Sequence, residues 1–410
     1  MIGHLAIGEI QRWAVARGLA GGSEAEFLHD FCTRCRQAGV SLSQAIVIID
    51  TLHPTYEGRA FRWQAKPTNE SRLIEYGPTN VGEAAEKWRR STFFHLLQTG
   101  GDELRLRLSE DHDFTMLADL RDSGHTDYVA FINRFEREGT IGEMDAVYSN
   151  WSTDAADGFD EDSLQALREL VPSVALAIKC MSLSRVAATL VDVYLGHETG
   201  RRVLQGQMSR GVAETIHAAL WYSDLRDFTK ISEQIPPEEI IPMLNDYAEA
   251  VISSVQAEGG EVLKLIGDGV LAIFTGSTIR EACAAALAAE TNVRTRVHEL
   301  SAARTADDKP TTSVYLGLHV GDVFYGNVGS DDRLDFTVIG PAVNEVCRIA
   351  AMCRHAGQQT LTSTDFSSTL LPRDRAQLVS VGRYALRGVE RPQELFTIDR
   401  YSPPSDQRKH

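Results

Sequence analysis

Residues 264–274 read KLIGDGVLAIF. Two apolar runs meet at Gly267-Asp268-Gly269, and an aspartate bracketed by glycines between strand-forming runs predicts a tight hairpin turning over Ile266–Gly269. The glycines permit the dihedrals of that turn and a close approach of a ligand, with Asp268 at the tip. On the N-terminal side, the pattern predicts a strand over 218–223 and a helix from Pro237 to Gln256. On the C-terminal side it predicts an Ala-rich helix at 278–298, paired strands at 314–328, a strand at 335–339 and a helix at 341–354. Strands and helices interleaved with adjacent hairpins make this an α+β region, an antiparallel-rich sandwich of the ferredoxin-like kind.

Two aspartates carry the chemistry. In WYSDLRDFTKISE, residues 221–233, an apolar strand delivers Asp224 at its end before the chain turns into a helix start. There a carboxylate can hold a cation while turn and helix N–H groups face phosphate oxygens. Asp224 alone is an ordinary cap, and Asp268 alone an ordinary turn residue. Presented together at neighbouring strand ends, they can hold two metal ions about 3.5–4 Å apart, the arrangement that stabilises attacking and leaving oxygens in phosphoryl transfer. Asn344 and Arg348, four apart on one helix, leave the same face.

The runs SDLRDFTKISE, KLIGDGVLAIF, GLHVGDVFYGNVGS and DFTVIGPAVNEVCRIA, in that order, resemble the successive signatures of class III adenylyl and guanylyl cyclases over about the last 200 residues. The resemblance implies a catalytic domain over residues 213–402 that converts ATP into cyclic AMP and pyrophosphate. It implies two divalent cations, Mg²⁺ or Mn²⁺, held by Asp224, Asp268 and the backbone carbonyl of Leu225. Lys264 matches the base-reading lysine, and Thr337 its partner position, where many relatives carry aspartate. Asn344 and Arg348 match the residues that place the ribose and stabilise charge on the α-phosphate. Arg387, in RYALRGVERP, falls where relatives usually place a lysine on the terminal phosphates. Asp227 stands where the family usually has glycine. In the family the metal aspartates come from one chain and the other residues from its partner, which implies a homodimer with shared sites.

Lys264 only donates, which suits a ring nitrogen of adenine, and Thr337 can accept from the exocyclic amine. Guanine calls for an acidic acceptor at that place, and the sequence reading finds none there. A guanylate cyclase, and a catalytically silent nucleotide-binding sensor, stay open as alternatives.

The remaining signals bound the rest of the chain. It has 410 residues, 43% apolar and 24% charged, enough for two to three domains. A formal net charge of −16 argues against a nucleic-acid-binding surface. The opening MIGHLAIGEIQRW lacks a basic region followed by an apolar segment, and no run approaches about 20 uninterrupted apolar residues. The expectation is a cytoplasmic protein without membrane or nucleic-acid partners, and no organic cofactor is evident. Cys32 and Cys35 form a CxxC on an amphipathic run, read as a buried helix face because no second pair completes a metal site.

Residues 1–182 mix a helix near 24–38, the strand AIVIID at 45–50 and strands near YVAFI and MDAVYSNWS, and they weakly resemble a GAF-like α/β sensor domain. An unknown small molecule is its expected ligand, with His53, Trp63, Trp88 and His95 as candidate pocket residues, although core aromatics and satisfied histidines are the leading reading of all four. TGGDELRL at 99–106 comes one letter from the GGDEF signature of diguanylate cyclases. It follows a helix-like segment, so Gly100 reads as a helix stop. Asp160 caps a long exit helix with Phe159 and Leu164 as a hydrophobic staple. Leu164, Leu167, Val171, Val174, Ile178 and Met181 form its apolar stripe, which suits packing on its own domain or on a second helix; Pro172 should kink it. A helical connector is expected over 183–212.

Overall fold

A computed structural model describes residues 4–66, 71–136, 140–207, 213–389 and 392–399. The chain divides into two compact units, Met1–Leu190 and Val191–His410.

The first unit runs α1 (His4–Ala20), α2 (Glu24–Gln37), β1 (Gln44–Asp50), β2 (Gly58–Gln64), β3 (Leu73–Tyr76), α3 (Gly82–Arg89), α4 (Thr92–Thr99), β4 (Glu103–Arg107), α5 (Thr115–Asp122), β5 (Asp127–Arg134) and β6 (Ala146–Thr153), then enters α6 (Glu161–Leu195). Its six strands form one antiparallel sheet in the order β3-β2-β1-β6-β5-β4. Alternation along each strand separates two cores. Val47, Ile49, Val147 and Trp151 face α1, α2 and α6, where they meet Phe27, Phe31, Leu164 and Leu167. Tyr128, Ala130, Ala146 and Tyr148 face the other way, toward Phe93, Leu96, Leu117 and Leu120 of α4 and α5.

Ser163 N–H donates to Asp160 Oδ1 at 2.8 Å, the cap expected from the sequence. The whole expected stripe from Leu164 to Met181 is buried in the first unit's core. The helix continues through Pro172 rather than stopping there. By length and composition α6 is apolar enough to cross a bilayer, yet its apolar face is core. Gly100 ends α4 with φ 73°, as a helix stop should. Cys32 and Cys35 are buried and free, and burial pushes the Cys35 thiol up to about 12, so they pack rather than react.

The second unit takes in the end of α6 and continues with α7 (His197–Leu204), β7 (Ala213–Leu225), α8 (Phe228–Ser232), α9 (Pro237–Ala257), β8 (Glu261–Ile266), β9 (Gly269–Phe274), α10 (Ile279–Ala306), β10 (Val314–Gly329), β11 (Leu334–Ile339), α11 (Pro341–Ala356), β12 (Thr360–Ser363), α12 (Thr364–Thr369), α13 (Pro372–Arg375), β13 (Leu378–Tyr384) and β14 (Gln393–Ile398). Of the expected connector, residues 208–212 lie outside the described residues, while α7 lies against β8, where Thr199 Oγ1 donates to Glu261 at 3.3 Å.

The βαββαβ run from β7 to β10 gives the central order β10-β7-β9-β8; β12, β14 and β13 extend the sheet beyond β10, and β11 pairs with β10. The segment 314–328, expected as two paired strands, is one continuous strand. Its partner is β7, matched residue by residue from Val314↔Leu225 to Gly326↔Ala213, so the inner strand is also longer than expected. Trp221, Phe274 and Tyr247 fill the core beneath α9 and α10, and Trp221→Ala would cost about 3–5 kcal/mol. On the opposite face α11 comes close to β10 because Gly317 has no side chain. A Cβ there would stand 2.6 Å from Val346 O.

Candidate functional site: two carboxylates at neighbouring strand ends

The length of β7 carries Asp224 to the sheet's edge, and the β8–β9 hairpin brings Asp268 beside it. Ile266 pairs with Gly269 across the turn, leaving Gly267 (φ 63°) and Asp268 as the two loop residues. Gly269 is required as well: a Cβ there would meet Tyr222 Oη at 2.5 Å. Leu225 N–H donates to Asp268 Oδ2 at 3.2 Å, fixing the hairpin tip against the end of β7. Burial first, then the neighbouring Asp268 carboxylate, push the Asp224 carboxyl well above the usual carboxylate range.

Asp224, Leu225 and Asp268 together line two adjoining cavities of about 170 and 390 Å³. The larger is completed by the start of α8 (Phe228, Thr229) and by Tyr315, Ala350 and Arg354. No group of three or more Cys, His, Asp or Glu side chains is placed to hold a metal among the described residues. Two crowded carboxylates without a cationic partner among the described residues nevertheless fit Mg²⁺, which is bound by one or two carboxylates and completed by water and substrate phosphates.

The other expected site residues lie elsewhere in the second unit. None of Lys264, Thr337, Asn344, Arg348 or Arg387 lines either cavity. Thr337 on β11 stands at the far end of β10 from Val314, since it pairs with Gly326, whereas Lys264 on β8 is level with Leu271, Tyr222 and Gly317 across the sheet. Asn344 and Arg348 share a face of α11, and the Arg348 guanidinium lies against the loop holding Arg387: a Cβ on Gly388 would stand 3.4 Å from its Nη1 and Nη2. No ion pair or hydrogen bond engages the side chains of Asn344, Arg348 or Arg387 among the described residues.

Two residues absent from the expected set emerge. Lys264 Nζ donates to the carboxylate of Asp335 in an ion pair. This corrects the expectation that no acidic acceptor stands near the base-reading position. The signal was present in DFTVIG, because strand periodicity places Asp335 on the same face as Thr337. Arg354, in the last turn of α11, pairs with Asp227. Asp227 is left-handed, φ 56° and ψ 24°, a conformation that glycine takes freely and aspartate tolerates better than most residues.

With this geometry in place, the relatives can be set beside it. A 189-residue stretch is 29% identical to adenylate cyclase 1 of Rhizobium meliloti, covering 45% of this chain and 28% of that protein. A 147-residue stretch is 34% identical to the adenylate cyclase of Anabaena cylindrica, covering 36% of this chain and 29% of that one. The chain thus spans less than a third of the length of these curated relatives. Among solved structures, the adenylyl cyclase CyaB from P. aeruginosa superposes with a TM-score of 0.41 at 24% identity, over 46% of this chain and 95% of that one. The segment that carries Asp224, Asp268, Asn344 and Arg348, residues 212–400, matches the family model of the adenylate and guanylate cyclase catalytic domain.

Proposed function

We propose that the second unit is an adenylate cyclase that forms 3′,5′-cyclic AMP and pyrophosphate from ATP. The observation that carries this reading is the Asp224–Asp268 pair, crowded at neighbouring strand ends and without an ion-pair partner among the described residues. Bound there, two divalent cations, Mg²⁺ or Mn²⁺, would make the ribose 3′-hydroxyl more acidic and neutralise the triphosphate. Asp224, Asp268 and the Leu225 carbonyl hold that charge in place. The 3′-oxygen attacks the α-phosphorus, and the bond to the bridging oxygen of the β-phosphate breaks to release pyrophosphate. Arg348 then meets the negative charge that grows on the α-phosphate, and Asn344 orients the ribose. Lys264 donates to an adenine ring nitrogen and Thr337 accepts from the exocyclic amine, while Arg387 engages the terminal phosphates.

That Lys264, Thr337, Asn344 and Arg348 line neither cavity beside the Asp224–Asp268 pair supports a head-to-tail homodimer in which Asp224 and Asp268 of one chain face those four residues of the other. Leu265, Ile266, Phe324, Val328 and Ile339 are exposed large apolar side chains on β8, β10 and β11, and apolar surface of that kind marks an interface. In this reading residues 1–182 are a GAF-like ligand sensor, 183–212 a connector and 213–402 the catalytic domain. The ligand's differential affinity for active and inactive dimer arrangements is the source of control.

Asp335 favours a second reading, a guanylate cyclase, because a carboxylate beside Lys264 can accept from guanine N1–H and its 2-amino group. The deciding experiment assays the intact chain with ATP and GTP in parallel, with Mg²⁺ or Mn²⁺ and with chelator. Cyclic AMP formation that chelator abolishes supports the first reading, cyclic GMP alone the second. No product from either leaves a silent binding domain and overturns both.

A further inference from the structure

Between the sheet of the first unit and α3–α4 lies a cavity of about 810 Å³, a volume that suits a small organic ligand. Four carboxylates belong to its lining, those of Asp50, Glu57, Glu143 and Asp145. Their recorded partners are neutral. Tyr76 O–H donates to Asp50 at 2.6 Å, Thr79 N–H to Glu57 at 2.6 Å, and Tyr148 O–H to Asp145 at 3.0 Å. No lysine or arginine forms an ion pair with any of the four among the described residues. Lys87, also on the wall, has its Nζ 2.8 Å from Glu83 instead.

Asn150 is a second and independent sign. It lies on β6 in the cavity lining, is 0% exposed, and neither its Oδ1 nor its Nδ2 has a hydrogen-bond partner. A buried amide with both ends unmet calls for a guest that supplies a donor and an acceptor. Trp88, Phe93 and Tyr148 provide aromatic wall, and aromatic faces attract cations.

We propose that this cavity binds a small organic cation, its ammonium group held among Asp50, Glu57, Glu143 and Asp145, its apolar body against Trp88 and Tyr148, and a polar substituent hydrogen-bonded to Asn150. The proposal deepens the sensor reading of the first unit and rests on it. The acidic lining excludes phosphate-bearing ligands, which would place like charge against like. A bare metal ion is disfavoured because the four carboxylates do not converge on one point. Burial, with Glu57, Asp145 and Glu143 adding to it, already pushes the Asp50 carboxyl up to about 6, and an incoming cation relieves that crowding.

The test is calorimetric titration of the intact chain, without nucleotide, using three probes that share one ring. These are tyramine, the neutral alcohol tyrosol and the anion 4-hydroxyphenylacetate. Because binding is read directly, the outcome is independent of whether the second unit turns over any triphosphate. Tyramine should bind about 10- to 100-fold more tightly than tyrosol, and the anion should not bind. In Asp50→Asn, which keeps the volume and can still accept from Tyr76, tyramine should fall to the level of tyrosol. Asn150→Leu should weaken tyramine and tyrosol alike; near-UV circular dichroism of both variants reports whether the fold is intact. Equal binding of amine and alcohol, preference for the anion, or no binding of tyramine up to millimolar concentration overturns the proposal.

Discussion

Both units gather carboxylates beside one another, and they assemble them differently. In the second unit, Asp224 and Asp268 come from the ends of adjacent strands, within a cleft that opens toward the start of α8. In the first, Asp50, Glu57, Glu143 and Asp145 come from β1, the β1–β2 connection and the segment before β6, around a cavity floored by a sheet. The second-unit pair is half-buried, and its cavity is lined also by Thr229, Lys230 and Arg354. In the first-unit set Asp50 and Glu57 are half-buried while Glu143 and Asp145 are exposed, and their cavity is lined by aromatic rings and neutral donors. Crowded carboxylates therefore have no single meaning: what surrounds them decides whether they suit metal with phosphate or an organic cation.

The largest expected effect tests the second-unit pair. Asp268→Ala should lower turnover by about 10³-fold or more, because several kcal/mol of charge stabilisation are lost, with the melting profile unchanged. Product formation close to the unaltered rate would remove the metal assignment. Arg348→Ala should cost about 10²–10³-fold in kcat. Mixing the two inactive chains should restore about a quarter of the original activity, since half of the dimers carry one intact site of two. If mixing restores nothing while each variant still dimerises by sedimentation, the site is not shared between chains.

These residues were legible because each motif is contiguous and its chemistry is local: a turn glycine, a strand end, two positions on one helix face. Asn150 and Asp50 were not. They line one cavity only because β1 and β6 are sheet neighbours, with Ile46 paired to Asn150, and nothing in either strand's pattern announces that pairing. Of the four pocket residues expected from sequence, Trp88 alone lines the cavity. Trp63 sits on the opposite sheet face in the α1–α2–α6 core, since strand alternation sends it there. His53 stacks on Tyr56 and His95 meets the edge of Phe114. Aromatic composition marks a core as readily as a pocket.

Asp335→Ala sharpens the reading of the base site. Losing the ion pair that holds Lys264 should lower kcat/KM for the preferred triphosphate by about tenfold. If Asp335 only orients Lys264, the ratio of ATP to GTP use stays in favour of ATP. If Asp335 reads guanine directly, GTP use collapses while ATP use changes little.

The first-unit set predicts a pH-dependent stability of opposite sense to that of an ordinary salt-bridged carboxylate. Asp50 has a folded pKa raised to about 6 from 3.8, so the folded state holds its proton more tightly than the unfolded chain. Its contribution is fully present below about pH 4 and is lost as pH rises through 6. Asp50→Asn escapes the penalty. It should stabilise the first unit by on the order of 2 kcal/mol at pH 7 and by nothing at pH 4 in urea melts. A gain at pH 7 alongside lost amine binding would show stability given up for a binding site. A variant equally stable at both pH values would mean that Asp50 is less crowded than its neighbours Glu57, Glu143 and Asp145 imply.

The smallest effect belongs to Asp227. Its left-handed backbone is where glycine is most at ease, so Asp227→Gly should change stability by less than about 1 kcal/mol. The carboxylate is matched by Arg354 at the rim of the phosphate-facing cavity. Removing it takes away a negative charge and frees a guanidinium, which together should lower KM for the triphosphate a few-fold and leave kcat unchanged. Arg354→Ala, which leaves Asp227 with Arg226 Nε at 3.5 Å as its remaining cation, should move KM the other way, and more so at low ionic strength because Arg354 is exposed. If Asp227→Gly instead lowers kcat and raises the metal concentration needed for half-maximal rate, Asp227 helps to hold the cations rather than serving only as the partner of Arg354.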